Sequence, residues 1–142
     1  MGVTTRNRTA NQMTNDYDVS KIFVLDNIYR KVTIANAAGT DLVLTAGMAI
    51  GVVSTAYQVY KSGTSNISFV GILAEDVTVA ASGGSESVNI CIAGKVNESL
   101  VTLDGTDTLA TVVAYRTIRD RIASESVGII LVATDELSAI DN

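Results

Sequence analysis

Apolar residues in this chain come in short runs broken by glycine and small polar clusters, and the pattern is densest over residues 67–97. Two apolar runs, residues 69–79 and 88–92, flank the polar tip Ala81-Ser82-Gly83-Gly84-Ser85. Gly83 and Gly84 tolerate positive φ, so the chain can reverse there. Val88, Ile90 and Ile92 alternate with Asn89, Cys91 and Ala93, the period of a half-buried strand. Phe69, Val70, Ile72 and Leu73 run together without alternation, which suits a strand covered on both faces. Gly71 and Gly94 interrupt the runs and mark a bulge or a close backbone approach. The pattern predicts a long hairpin, or two core strands joined by a mobile tip.

Residues 21–34 read as a strand pair. Ile22, Phe23, Val24 and Leu25 are one apolar run, Asp26-Asn27 is turn chemistry, and Ile28, Val32 and Ile34 then share a face. Arg30 falls on that apolar face and must snorkel or pair at an interface. Short strands follow at residues 42–44, 48–53 and 58–61, the last leading into a loop at residues 62–66. After the turn Asp104-Gly105, Asp107 or Thr108 is placed to cap a helix over about residues 108–124, with Val112, Tyr115, Ile118 and Ile122 at helical spacing. Arg116, Arg119 and Arg121 lie mostly off that stripe, either as a solvated face or as a site for an acidic partner surface. Residues 127–133 are the last strand, apolar on both sides, and an acidic tail follows. The fold class predicted is mostly β with one short helix, a compact barrel or sandwich of short strands.

Residues 1–20 form a separate zone, rich in Thr, Asn and Arg and poor in apolar groups. Such a segment cannot offset its ordering entropy alone. It is either a frayed terminus or an arm that orders on a partner, for example by adding a strand to an exposed sheet edge. Arg6 and Arg8 make its first part positive within an acidic chain, which favours an acidic surface as partner.

Composition changes the picture in two ways. Only 18% of the 142 residues are charged while 47% are hydrophobic. Either a Ser/Thr/Asn surface covers the body, or part of that surface is covered by other copies or a larger assembly. A net charge of −5 argues against a nucleic-acid-binding role, which needs a basic face. No apolar run approaches the roughly 20 residues that span a bilayer as a helix, and the polar start of the chain is not a Sec-type signal. Proline is absent, so edge strands must be protected by other means.

Candidate chemistry is thin. Without histidine a Ser-His-Asp triad is excluded, and one cysteine, Cys91, with no histidine excludes the ordinary zinc sets. Neither a phosphate loop nor a dinucleotide fingerprint is present. Glu75 and Asp76 are adjacent on a strand and face opposite ways, and Asp104/Asp107 suits a turn and cap. No catalytic, cofactor or metal site is expected, and the chain reads as a non-enzyme.

The order of parts then resembles a known family. After the polar arm, Leu44-Thr45-Ala46-Gly47-Met48-Ala49-Ile50-Gly51-Val52-Val53 precedes Phe69-Val70-Gly71-Ile72-Leu73-Ala74-Glu75-Asp76-Val77. Then come Ile90-Cys91-Ile92-Ala93-Gly94-Lys95-Val96, a helix with Arg119, and Gly128-Ile129-Ile130-Leu131. This resembles the lambda-like head-decoration (capsid-cementing) proteins of tailed bacteriophages over roughly residues 40–133. The resemblance implies a β-tulip-like domain at residues 21–142 behind a flexible arm at residues 1–20. It implies a homotrimer on the outside of the expanded capsid, made in the host cytoplasm, with the major capsid protein as partner. It carries no cofactor, nucleic acid or membrane. Thr4, Thr5, Arg6, Asn7, Arg8 and Thr9 would be the capsid-binding stretch of the arm, and Arg30, Arg116 and Arg119 interface residues. The arm lacks the prolines expected of the family, and residues 21–34 add an element. The alternative is a head-fibre or adhesive β domain that binds a receptor or glycan through the tips at residues 62–66 and 82–85.

Overall fold

In the computed structural model, which describes residues 21–133, two fourteen-residue strands set the frame. In chain order the strands are β1 (Phe23–Asn36), β2 (Leu42–Leu44), β3 (Ala49–Val53), β4 (Ala56–Val59), β5 (Ser68–Leu73), β6 (Val77–Val79) and β7 (Gly84–Asn97). A 3-10 turn, Glu98–Leu100, leads to β8 (Val112–Val113) and β9 (Arg116–Thr117), then to helix α1 (Ile118–Glu125) and β10 (Gly128–Val132). β1 and β7 run antiparallel from Phe23 opposite Val96 to Asn36 opposite Gly84. β4, β3 and β5 bridge between them, so β1, β4, β3, β5 and β7 close a five-stranded barrel, and β10 adds parallel to β7 outside it. Closure removes sheet edges that a proline-free chain would otherwise leave open.

The barrel has an apolar filling and an apolar flank. Val32 and Ile34 of β1, Val59 of β4, Ile50 of β3, Leu73 of β5 and Val88 and Ile90 of β7 meet in one buried cluster, fed by all five strands. Leu44 and Val79, from the β2–β6 ribbon, complete it. Asn36 rivets that ribbon: its Nδ2 donates to Thr40 O at 2.9 Å and Val79 O at 3.1 Å, and its Oδ1 accepts from Ala38 N at 3.0 Å. A second cluster lies outside, where Ile118 and Ile122 of α1 cover Ala49, Phe69, Ile72, Cys91, Val96 and Ile129. Tyr60 meets Phe69 edge-on, ring centroids 6.2 Å apart. Burying each such large side chain stabilises by about 1.5–3 kcal/mol. Both faces of β7 are therefore covered at Ile90 and Cys91, although its alternation suggested a half-buried strand.

Several expectations are corrected. Residues 21–34 are not a strand pair: Asp26-Asn27 sits inside one strand as a bulge, with Asp26 at φ 55°. Asn27 Nδ2 donates to Lys95 O at 3.0 Å, so the amide that suggested a turn instead ties the bulge to β7. Residues 69–79 and 88–92 are not a simple hairpin. β5 pairs mainly with β3 and touches β7 only at Ile72–Cys91 and Leu73–Ile90, while β6 pairs with β2. The tip between them is pinned by Ser82 N donating to Ala38 O and Gly83 N to Asn36 O, each at 2.8 Å. Gly83 takes φ +102°, and Gly84, without positive φ, is needed because a Cβ there would lie 2.4 Å from Ala80 O.

The helix is shorter than its spacing predicted. It starts at Ile118, capped by Thr117, whose hydroxyl accepts from Asp120 N. Residues 112–117 before it are the β8–β9 hairpin, with Val113 opposite Arg116. β-branched Thr111, Val112 and Val113 disfavour the helix there. Ile118 and Ile122 are buried as the stripe required, but Val112 and Tyr115 are exposed. Asp107 caps nothing: its carboxylate accepts from Ser62 N at 2.9 Å and Ser62 Oγ at 2.7 Å, tying two loops together.

Candidate interaction surface

Beyond the barrel, β1, β7 and β10 continue as a three-stranded layer. β10 pairs with residues 93–97 of β7, opposite the start of β1. One side of this layer carries Phe23, Val96, Ile129 and Leu131 and packs on the α1 core. The register fixes what lies on the other side, because cross-strand partners project together. Leu25, Lys95 and Ile130 form one row, and Ile28, Ala93 and Gly128 the next. A Cβ built on Gly128 lies 3.6 Å from Ala93 Cβ, which places both on one face. Ile28 is 57% and Ile130 55% exposed, and Leu25 is also open. Val127, just before β10, is exposed as well. The row residues include one charge, Lys95.

β10 also ends its sheet. Its sequence, GIILV, has no charge, and no further strand pairs with its outer edge among the described residues. An uncharged, bulge-free edge is a template for another strand unless something covers it. The chain enters the layer at its other margin: Asn97 N donates to Ile22 O at 2.8 Å, and Phe23 lies opposite Val96. Residues 1–20 therefore join the body beside this face. The arm stretch Thr4, Thr5, Arg6, Asn7, Arg8 and Thr9 lies outside the described residues.

The arginines singled out by pattern do not converge. Arg30 shares the parity of Val32 and Ile34, yet its guanidinium reaches over the Tyr57 ring, 5.7 Å from the centroid, and donates to the Tyr57 hydroxyl. Its partner is thus within the chain. Arg116 donates to Ser124 Oγ at 2.7 Å and approaches Glu125 at 3.4 Å. Arg119 forks onto Glu98. Arg121 is half-buried, donating to Val113 O and to Glu125, each at 2.8 Å. Each of Arg116, Arg119 and Arg121 therefore has a carboxylate partner within the chain, rather than adding to a common basic face.

The acidic groups do structural work. Glu75 accepts from Asn89 N, Asp76 from Ala46 N and Asp41 from Ala81 N, at 2.8, 2.8 and 2.9 Å. Each satisfies a loop or edge donor that would otherwise face water alone. No group of three His, Cys, Asp or Glu side chains fit to hold a metal occurs among the described residues. Nor is any helix among them long and apolar enough to cross a membrane. Cys91 is fully buried, and burial pushes its thiol up, against the smaller opposing effect of the Asn27 amide. At neutral pH it should resist alkylation by iodoacetamide in the folded chain and react once per chain in denaturant, a difference that mass spectrometry reads.

Of the two loop tips, residues 62–66 border an open groove of about 520 Å³ lined by Ser62, Thr64, Asn66, Ser68, Val113 and Arg121. No family model, curated protein or solved structure matches this chain. Sequence and geometry therefore carry the functional reading.

Proposed function

We propose that this chain is a structural, non-enzymatic protein that decorates the exterior of an expanded tailed-phage capsid, acting as a homotrimer on the major capsid protein. The open apolar face of the β1–β7–β10 layer, beside an uncharged sheet edge and at the root of residues 1–20, is the observation that carries the reading. A face of this kind suits contact with other chains better than life in water. The low charge of the chain supports the same view, as does the resemblance in its glycine-punctuated strands. Residues 1–20 act as the arm, with Thr4 to Thr9 against the capsid. One arm binds weakly, but three on one rigid body act at high effective concentration.

Light scattering is expected to give about three chains per particle. A chain that starts at Lys21 is expected to keep that mass and to lose co-sedimentation with expanded capsids. A monomeric full chain, or equal capsid binding by the shortened one, overturns the reading. The hydroxyl-lined groove at residues 62–68 favours one second reading, adhesion to a glycan or receptor through that loop. On that reading loop substitutions abolish binding and arm removal does not.

A further inference from the structure

The β8–β9 hairpin turns through two residues, Ala114 at φ 49° and Tyr115 at φ 71°. Two consecutive positive φ values in a two-residue loop are the requirement of a type I′ turn, which asparagine and glycine meet at little cost. Alanine lacks the polar side chain that helps asparagine there, and a bulky tyrosine in this region is an outlier. Tyr115 is nevertheless 100% exposed, so no contact among the described residues explains its ring. Strain retained at an exposed aromatic points to use. Val112, on the same hairpin, is exposed beside it.

The other half of a contact lies across α1. The hairpin sits on the flank of the helix that carries Arg121, Ser124 and Glu125, since Arg121 bonds Val113 O and Arg116 bonds Ser124 and Glu125. On the opposite flank, α1 and β10 bound a groove of about 570 Å³. Ala123, Gly128, Ile129, Ile130 and Leu131 give it an apolar floor, with Arg119 and Asp120 at the rim. The Asp120 carboxylate has no hydrogen-bond partner among the described residues, while its backbone N–H is held by Thr117. The groove has room for a phenol ring, and Asp120 offers an acceptor for the phenol proton.

We infer that Tyr115 of one copy seats in the α1–β10 groove of the next, so that the assembly closes head to tail around α1. This rests on the homotrimer reading above and names its contact. A heterologous contact between two distinct patches generates a ring when the rotation closes. It is continuous with the open Ile130 face, and it covers the edge strand that the barrel leaves bare. A central aromatic anchor in a desolvated pocket is the usual carrier of such an interface.

The test uses the full chain. Tyr115→Gly removes the ring and relieves the turn, so the far-UV circular dichroism spectrum should be unchanged while the light-scattering mass falls from three chains to one. Ala123→Glu, which fills the groove from the other side, should give the same fall. As a second measurement, Tyr115→Cys copies mixed with Ala123→Cys copies should form a disulfide-linked species on oxidation, and neither variant alone should. If the unchanged chain is a monomer, the trimer reading fails and this inference with it. If the unchanged chain and Tyr115→Gly are both trimers, or the mixture does not cross-link, this inference alone is overturned.

Discussion

Glu125→Ala is expected to lower the stability of the folded chain by roughly 2–4 kcal/mol, and its melting temperature by about 10 °C, although the side chain stands at the end of a short helix. The reason is what converges on that carboxylate. Oε1 accepts from Phe69 N at 2.8 Å, and Phe69 lies in the outer core. Oε2 takes Arg121 at 2.8 Å and the more exposed Arg116 at 3.4 Å. Arg121 and Glu125 side chains are only 11% and 19% exposed, so water replaces the lost partner poorly. Truncation leaves a buried backbone donor and a half-buried guanidinium short of an acceptor, and such orphaned groups cost more than the bond itself contributes. Glu125→Gln keeps an acceptor for Phe69 N but not the charge, so about half the loss is expected. Urea unfolding of the three chains side by side checks both. Equal stability of Glu125→Ala and the unchanged chain would show that neither the Phe69 bond nor the Arg121 pair helps hold α1 on the barrel.

The two patterns that sequence periodicity reads best, strand alternation and breakers, place several of the short strands. Residues 42–44, 48–53 and 127–133 all contain the observed strands, and glycine and polar clusters mark most of their ends. Failures cluster where a distant partner decides. Asp26-Asn27 looks like a turn because its chemistry is local, yet Lys95 and Gly94 hold it as a bulge from across the sheet. Val112 and Tyr115 fall at helical spacing from Ile118 by coincidence of a hairpin that precedes the cap. The open apolar face was illegible for a simpler reason. Ile130 and Ile28 have the side chains of core residues, and no periodicity separates an isoleucine that faces the interior from one left exposed on a sheet face. Only the register of three strands, through the pairings of Lys95 with Leu25 and with Ile130, puts Leu25 and Ile130 in one row.

Gly94→Ala is expected to cost on the order of 3 kcal/mol or more. Gly94 takes φ +111°, which an L side chain rarely adopts. A Cβ there would lie 2.6 Å from Asp26 O and 2.7 Å from Asn27 Cα, both backbone atoms that cannot step aside without opening the β1–β7 ladder. Asp26 bulges at φ 55° toward the space Gly94 vacates, so the two distortions are one device. A further register shift separates Phe23, which packs on the α1 core, from Leu25, which is open. Gly83 supplies the control. It also has positive φ, +102°, but nothing lies within 4 Å of its absent Cβ, so Gly83→Ala should cost about 1 kcal/mol. Comparing the two by chemical denaturation separates backbone strain, common to both, from the clash, present only at Gly94. If the two alanines cost the same, Gly94 serves φ alone and the close approach of the strands has no energetic weight. If Gly94→Ala folds at all, hydrogen exchange should accelerate first around residues 93–97, because the Asn27–Lys95 bond and the layer bearing Ile130 depend on that crossing.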